Sequence, residues 1–190
     1  DGFSLTVSFI LIIANLMRVY FWYGKQFDPV LLLQSLAMLA AQLALVHICT
    51  VYPSKGQQGR TLRDLDARHF WLYEDFGSYA TIVLFATWVL TLLTLACQSH
   101  KLYFELLGFV SLSLEATLAV PQLRENWRHR SVGGLSPVLV LLWALGDLCK
   151  AVYFQLNDTP PQFLMCTALQ LLVDVGIIAQ YLMYHSPPPR

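Results

Sequence analysis

The sequence predicts an all-α, polytopic membrane protein with six spanning helices, arranged as two parallel three-helix bundles joined by a linker helix, with the opening helix of the first bundle missing. Three observations carry this. Hydrophobic residues make up 56% of the chain and charged residues 13%, against about 45–50% and about 25% in ordinary globular domains. The apolar residues fall into six long runs, each of about 20 residues, enough for one helical crossing of a bilayer. The chain also repeats itself. Gly2-Phe3-Ser4 opens a run holding Asn15 and Arg18, and 132 positions later Gly134-Leu135-Ser136 opens a run holding Asp147 and Lys150.

The first run, Phe3 to Tyr23, has no basic segment before it and no small-residue cleavage site after it, so it reads as a permanent span and not a signal peptide. The second, Pro29 to Val51, carries Gln34, Gln42 and His47 and completes a first bundle over 1–51. Segment 52–75 holds Gly56, Gly59 and most of the dense charge, and reads as a solvated connector with His69-Phe70-Trp71 and Tyr73 as interfacial anchors. Phe76 to Cys97 is the linker span. A second bundle over 102–185 follows: Leu102 to Leu123 with Glu115 inside it, a basic loop from Arg124 to Gly133, Leu135 to Leu156, and Pro161 to His185 with Gln170 and Asp174. The tail, 186–190, reads as disordered.

The repeat extends well past its opening. At the same offset Phe21-Trp22 meets Tyr153-Phe154, Pro29 meets Pro161, Leu32 meets Leu164 and Ser35 meets Thr167. An even number of crossings separates the copies, so they are parallel, related by an axis along the membrane normal. The second copy begins with a helix that the first lacks, which points to a fragment or processed form of a seven-helix protein. Lys55, Arg60, Arg63, Arg68, Arg124, Arg128, Arg130 and Arg190 fall on one side of the alternation, and only Lys25 and Lys101 on the other. That asymmetry places the connector, the basic loop and the C-terminus in the cytosol.

Asn15, Glu115, Asp147 and Asp174 lie near the middles of their spans, where a lone carboxylate costs at least about 2.5 kcal/mol. They need partners or water. Asp147 and Lys150 are three apart on one helical face, as are Asn15 and Arg18. Two readings stand side by side: neutralised pairs that lock helices together, or groups lining a cavity between the bundles that binds a cation, a proton or a lipid headgroup. Asp174 has no cation one turn away, and is therefore protonated or partnered across helices. Pro121 cannot donate its backbone N–H and clashes with the preceding turn, so the helix kinks or stops there and leaves carbonyls free near Ala116, Thr117 and Leu118. Interhelical hydrogen bonding accounts for the glutamines.

The four cysteines, Cys49, Cys97, Cys149 and Cys166, sit within or at the ends of spans with no metal-ligand spacing and read as buried small hydrophobes. There is no phosphate-cradling glycine loop, no nucleophile elbow and no extramembrane domain. Catalysis and cofactors are not expected, and a net charge of zero gives no reason to expect nucleic acid. Membrane lipids are the expected partners.

The run Glu115-Ala-Thr-Leu-Ala-Val-Pro121-Gln122-Leu123, followed by Asn126, Arg128-His129-Arg130-Ser131 and Gly134-Leu135-Ser136, resembles the second signature of the PQ-loop (MtN3/saliva-like) membrane protein family. Ala14-Asn15, Phe21-Trp22-Tyr23-Gly24 and Gly146-Asp147 with Tyr153-Phe154 resemble its solute carrier 66 branch. The resemblance implies the fold of PQ-loop and SWEET carriers, a hinge at Pro121 and Gln122, and a cavity drawing on Asn15, Arg18, Glu115, Asp147, Lys150 and Asp174. For this branch it implies phospholipid translocation or its regulation, with endosome-to-Golgi retrograde transport, in endosomal and trans-Golgi membranes, and trafficking or flippase partners. The alternatives are an alternating-access, proton-coupled carrier of a small cationic or zwitterionic solute such as an amino acid, and a non-transporting trafficking receptor.

Overall fold

The computed structural model describes residues 5–52, 76–132 and 135–184. The Gly2-Phe3-Ser4 and Gly133-Gly134 ends of the repeat, most of the connector with its aromatic edge, and the tail lie outside the described residues. Seven α-helices are described: α1 (Leu5–Lys25), α2 (Pro29–Val51), α3 (Phe76–Cys97), α4 (Lys101–Ala116), α5 (Val120–His129), α6 (Pro137–Leu156) and α7 (Pro161–Tyr184). With α4 and α5 counted as one crossing, Lys101–His129, six segments are long and apolar enough to span a bilayer. The chain is an all-α, polytopic membrane protein.

The helix bounds carry the repeat. Shifted by 132 positions, α1 would run 137–157 and α2 161–183; α6 runs Pro137–Leu156 and α7 Pro161–Tyr184. Prolines open α2, α6 and α7 because the first helical turn needs no N–H donor. Asp28 caps α2, its carboxylate accepting from the Val30 N–H at 2.9 Å.

The chain packs as two compact units, 1–114 and 115–190. In the first, Ile12, Leu16, Val46 and Tyr79 form the core between α1, α2 and α3. Ser8 Oγ donates to Gln42 Oε1 at 2.9 Å across α1 and α2. The Tyr20 hydroxyl donates to the Thr87 carbonyl at 3.2 Å, tying α1 to α3. The sequence groups the helix from 102 with the second bundle, yet most of α4 packs in the first unit. Two glycines explain how: the Phe104 ring lies over Gly24, and the Phe21 ring over Gly108, where an added Cβ would come within 2.6 Å of Phe21 Cζ. A Lys25–Glu105 ion pair closes the same seam.

In the second unit Val140, Val173 and Ile177 form the core of the α6–α7 pair, with Leu123 of α5 packed on it. Gly176 makes room for that leucine, since a Cβ there would lie 3.0 Å from Leu123 Cδ1. Gln180 Nε2 donates to the Leu123 carbonyl at 2.8 Å and fixes α5 on α7.

Two sequence expectations are corrected. Arg124 to His129 is helix, not loop, ending at Arg130 in the left-handed region with φ 49°. Bonds one turn apart hold it, from Gln122 Nε2 to Asn126 Oδ1 at 2.8 Å and between His129 and Glu125 at 2.7 Å. Of the cysteines only Cys166 is buried, and Cys149 is exposed on α6. Leu84, Phe85 and Trp88 of α3, and Leu141, Leu142, Leu145, Leu148 and Val152 of α6, are also exposed. Apolar surface on that scale suits hydrocarbon, not water.

The ring-on-glycine seam gives a stability prediction. Gly108→Val should destabilise the protein by about 1–3 kcal/mol through overpacking against Phe21, read as a lower melting temperature in detergent. Phe21→Leu in the same chain should return part of the loss, and an unchanged melt for Gly108→Val would show that the ring does not seat there.

Candidate functional site

One set of ionisable groups is assembled at mid-membrane depth within the second unit. Asp147 and Lys150 share a face of α6, one turn apart, and Lys150 Nζ donates to Asp147 Oδ1 at 2.7 Å. From α7, Asp174 lies near Asp147, so that the two carboxyls repel when both are ionised. Glu115, at the end of α4, brings Oε1 to 4.0 Å from Lys150 Nζ.

The backbone that delivers Glu115 is set by Pro121. With no N–H at position 121, the Thr117 carbonyl loses its helical donor. The N–H of Val120 takes that carbonyl instead, one residue early, and Thr117–Ala119 tightens into a 3₁₀ turn between α4 and α5. The break falls where the sequence puts it. The expectation that the Thr117 carbonyl is left free is not met, and the chain continues as helix for another ten residues.

Burial is graded across the set. Asp174 is 4% exposed, the side chains of Asp147 and Glu115 are 14% and 18% exposed, and that of Lys150 is 32% exposed. The carboxyls lie deep and the ammonium lies toward the open edge. Three carboxyls face one ammonium, so with all groups ionised two negative charges are uncompensated. Charge of that kind at membrane depth is balanced by protons or by a bound cation. Asp174 Oδ2 is buried with no hydrogen-bond partner. Among the described residues no group of His, Cys, Asp and Glu is arranged to hold a metal ion.

Asn15 and Arg18 belong to the other unit, where α1 carries them at the register of Asp147 and Lys150. Both are buried, at 1% and 4% exposure. The expected bond between them is not made by the asparagine: its Nδ2 donates to the Leu11 carbonyl at 2.8 Å, and its Oδ1 has no hydrogen-bond partner. An amide in mid-helix turns back to its own preceding turn when that carbonyl is within reach. Gln42, which donates nothing to this pair and instead receives the Ser8 hydroxyl, sits at the register of Asp174 on the same offset of 132. That correspondence is a sequence signal for Asp174 as a member of the site. His47 stands apart, its ring edge-on to Phe76 at 5.1 Å.

A family model described as the PQ loop repeat matches residues 103–163, from the first turn of α4 through α5 and α6 to the start of α7. That segment, about a third of the chain, is similar to a PQ-loop repeat. Among curated relatives, the scramblase ANY1 of Saccharomyces cerevisiae is 24% identical over 127 residues, 66% of this chain and 31% of the relative. The vacuolar histidine transporter YPQ3 of the same yeast is 30% identical over 77 residues, 40% of this chain and 26% of the relative. Its vacuolar lysine transporter YPQ1 is 28% identical over 79 residues, 42% of this chain and 26% of the relative. The chain thus matches less than a third of the length of each of these relatives. No solved structure matches it significantly.

The 3₁₀ turn makes a prediction about Pro121. Pro121→Ala restores the missing donor, and it should stabilise the protein by about 1 kcal/mol while stiffening the junction that carries Glu115. The check is a higher melting temperature in detergent. A less stable variant would show that proline, not the tightened turn, is what this junction requires.

Proposed function

We propose that this protein moves phospholipids between membrane leaflets, or regulates that movement, in endosomal and trans-Golgi membranes, and so serves endosome-to-Golgi retrograde traffic. The observation that carries the reading is the setting of the charged set. Asp147 and Lys150 are half-buried on α6, and the same helix presents Leu141, Leu145, Leu148 and Val152 as exposed apolar surface. A phospholipid headgroup meets charge there while its acyl chains stay in hydrocarbon. The match to a scramblase over two-thirds of the chain supports the same class. The positive residues at the end of α5 favour a cytosolic face there and a cytosolic C-terminus. Nothing in the reading needs a catalytic step.

One observation favours a second reading. The surplus of carboxyl over ammonium suits a cationic or zwitterionic solute, and two relatives are transporters of histidine and lysine. In that case the protein is an alternating-access carrier, proton-coupled through the carboxyls.

Dithionite quenching of fluorescent phospholipid in proteoliposomes containing the full-length protein separates the two. Lipid movement should accelerate over protein-free vesicles and drop at least tenfold in Asp147→Asn. No acceleration, combined with saturable lysine or histidine uptake that Asp147→Asn abolishes, would reject lipid movement in favour of the carrier.

A further inference from the structure

We propose that the outward face at the end of α5 is a binding surface for anionic phospholipid headgroups, with Arg124, Arg128 and Arg130 taking the phosphates and Trp127 seated among them at headgroup level. The side of α5 turned to α7 carries Leu123, whose carbonyl takes the Gln180 amide, and Asn126, which is 3% exposed. Arg124, Trp127 and Arg128 have the i, i+3, i+4 spacing of a single face. All three are exposed, Trp127 at 57%. The helix closes in the left-handed region at Arg130, φ 49°, and that guanidinium lies over the indole, 5.1 Å from the ring centroid. Three guanidiniums are thus gathered about one exposed aromatic side chain.

Depth and charge select the occupant. Trp127 lies twelve residues beyond Glu115, about 18 Å along a helix axis, and half a hydrocarbon core is about 15 Å. With Glu115 near mid-depth, the indole and the arginines beside it reach the headgroup layer, where tryptophan is favoured. Arginine is always charged, and its planar fork matches phosphate oxygens two at a time. Among the described residues these arginines have no acidic partner, and Glu125, the one acid in α5, is held by His129 at 2.7 Å. Anionic lipids of the cytosolic leaflet supply complementary charge at that level. Orienting the chain in the membrane needs only positive charge on that side. It needs neither an exposed indole on the face of the arginines nor a left-handed cap that stacks a third guanidinium on it.

The test uses the purified full-length protein in neutral detergent and fluorescent phosphatidylserine, displaced by unlabelled lipids. Phosphatidylserine should displace it at concentrations at least tenfold below those of phosphatidylcholine, and raised salt should narrow that preference. Arg124→Gln, Arg128→Gln and Arg130→Gln should each weaken phosphatidylserine binding about fivefold and leave phosphatidylcholine binding as it is. Lys101→Gln, at the start of α4 and outside this face, should change neither. The salt dependence of the parent protein carries the same test where a variant does not fold. Equal displacement by the two lipids, or a loss in Lys101→Gln as large as in Arg128→Gln, would overturn the proposal. Displacement by a polyglutamate peptide but not by phosphatidylserine would overturn it too, and would assign the face to an acidic protein segment. The readout is binding and not movement, so the surface stands or falls apart from the lipid-movement reading.

Discussion

Ionisable groups placed halfway through a hydrocarbon layer must answer one another, and the second unit of this protein is organised around that requirement. A single charge at that depth costs about 2.5–3.5 kcal/mol even on the more lenient insertion scales. Asp147, Lys150, Asp174 and Glu115 meet because three separate features bring them together. The one-turn spacing on α6 makes the ion pair. The α6–α7 core of Val140, Val173 and Ile177 holds Asp174 near Asp147. The 3₁₀ turn before Pro121 ends α4 next to Glu115, and α5 beyond it is held on α7 by Leu123, Gly176 and Gln180.

The division of the chain into compact units falls between Leu114 and Glu115, beside that same turn. A proline-induced break and a change of packing partner coincide at one residue of the charged set. Upstream, α4 is held by aromatic rings on glycines and by the Lys25–Glu105 ion pair. Downstream, α5 is held by a hydrogen bond to a main-chain carbonyl as well as by packing. Glu115 stands between these two sets of restraints.

What the sequence discloses follows from how local each interaction is. The Asp147–Lys150 pair is legible because both residues sit on one helix, and the break near Pro121 is legible because proline acts on its own preceding turn. The extent of α5 is not: hydropathy falls at Arg124, and reading the basic stretch as loop misses the bonds one turn apart that keep it helical. The rings over Gly24 and Gly108 join residues far apart in the chain and leave no periodic trace. Asn15 shows the opposite error. Its spacing from Arg18 allows a bond, yet the nearer carbonyl of Leu11 takes its amide. Asp174 is half legible. Its neighbour cannot be read from its own helix, but its register with Gln42 marks it as part of a repeated constellation.

That repetition lets one half of the molecule be measured against the other. Between α1 and α2, a serine hydroxyl and a glutamine amide supply the buried polar link. Interhelical hydrogen bonds in membranes contribute about 0.6 kcal/mol on average, and neutral groups supply them without a charge at depth. An amide at position 174 would serve assembly of α6 with α7 equally well. Three carboxyls at about 2.5 kcal/mol or more each exceed anything that helix association gains from them. Lys150 offsets only one of them. Helix packing alone therefore does not account for the acidic set, whose charge at that depth calls for protons or a bound cation.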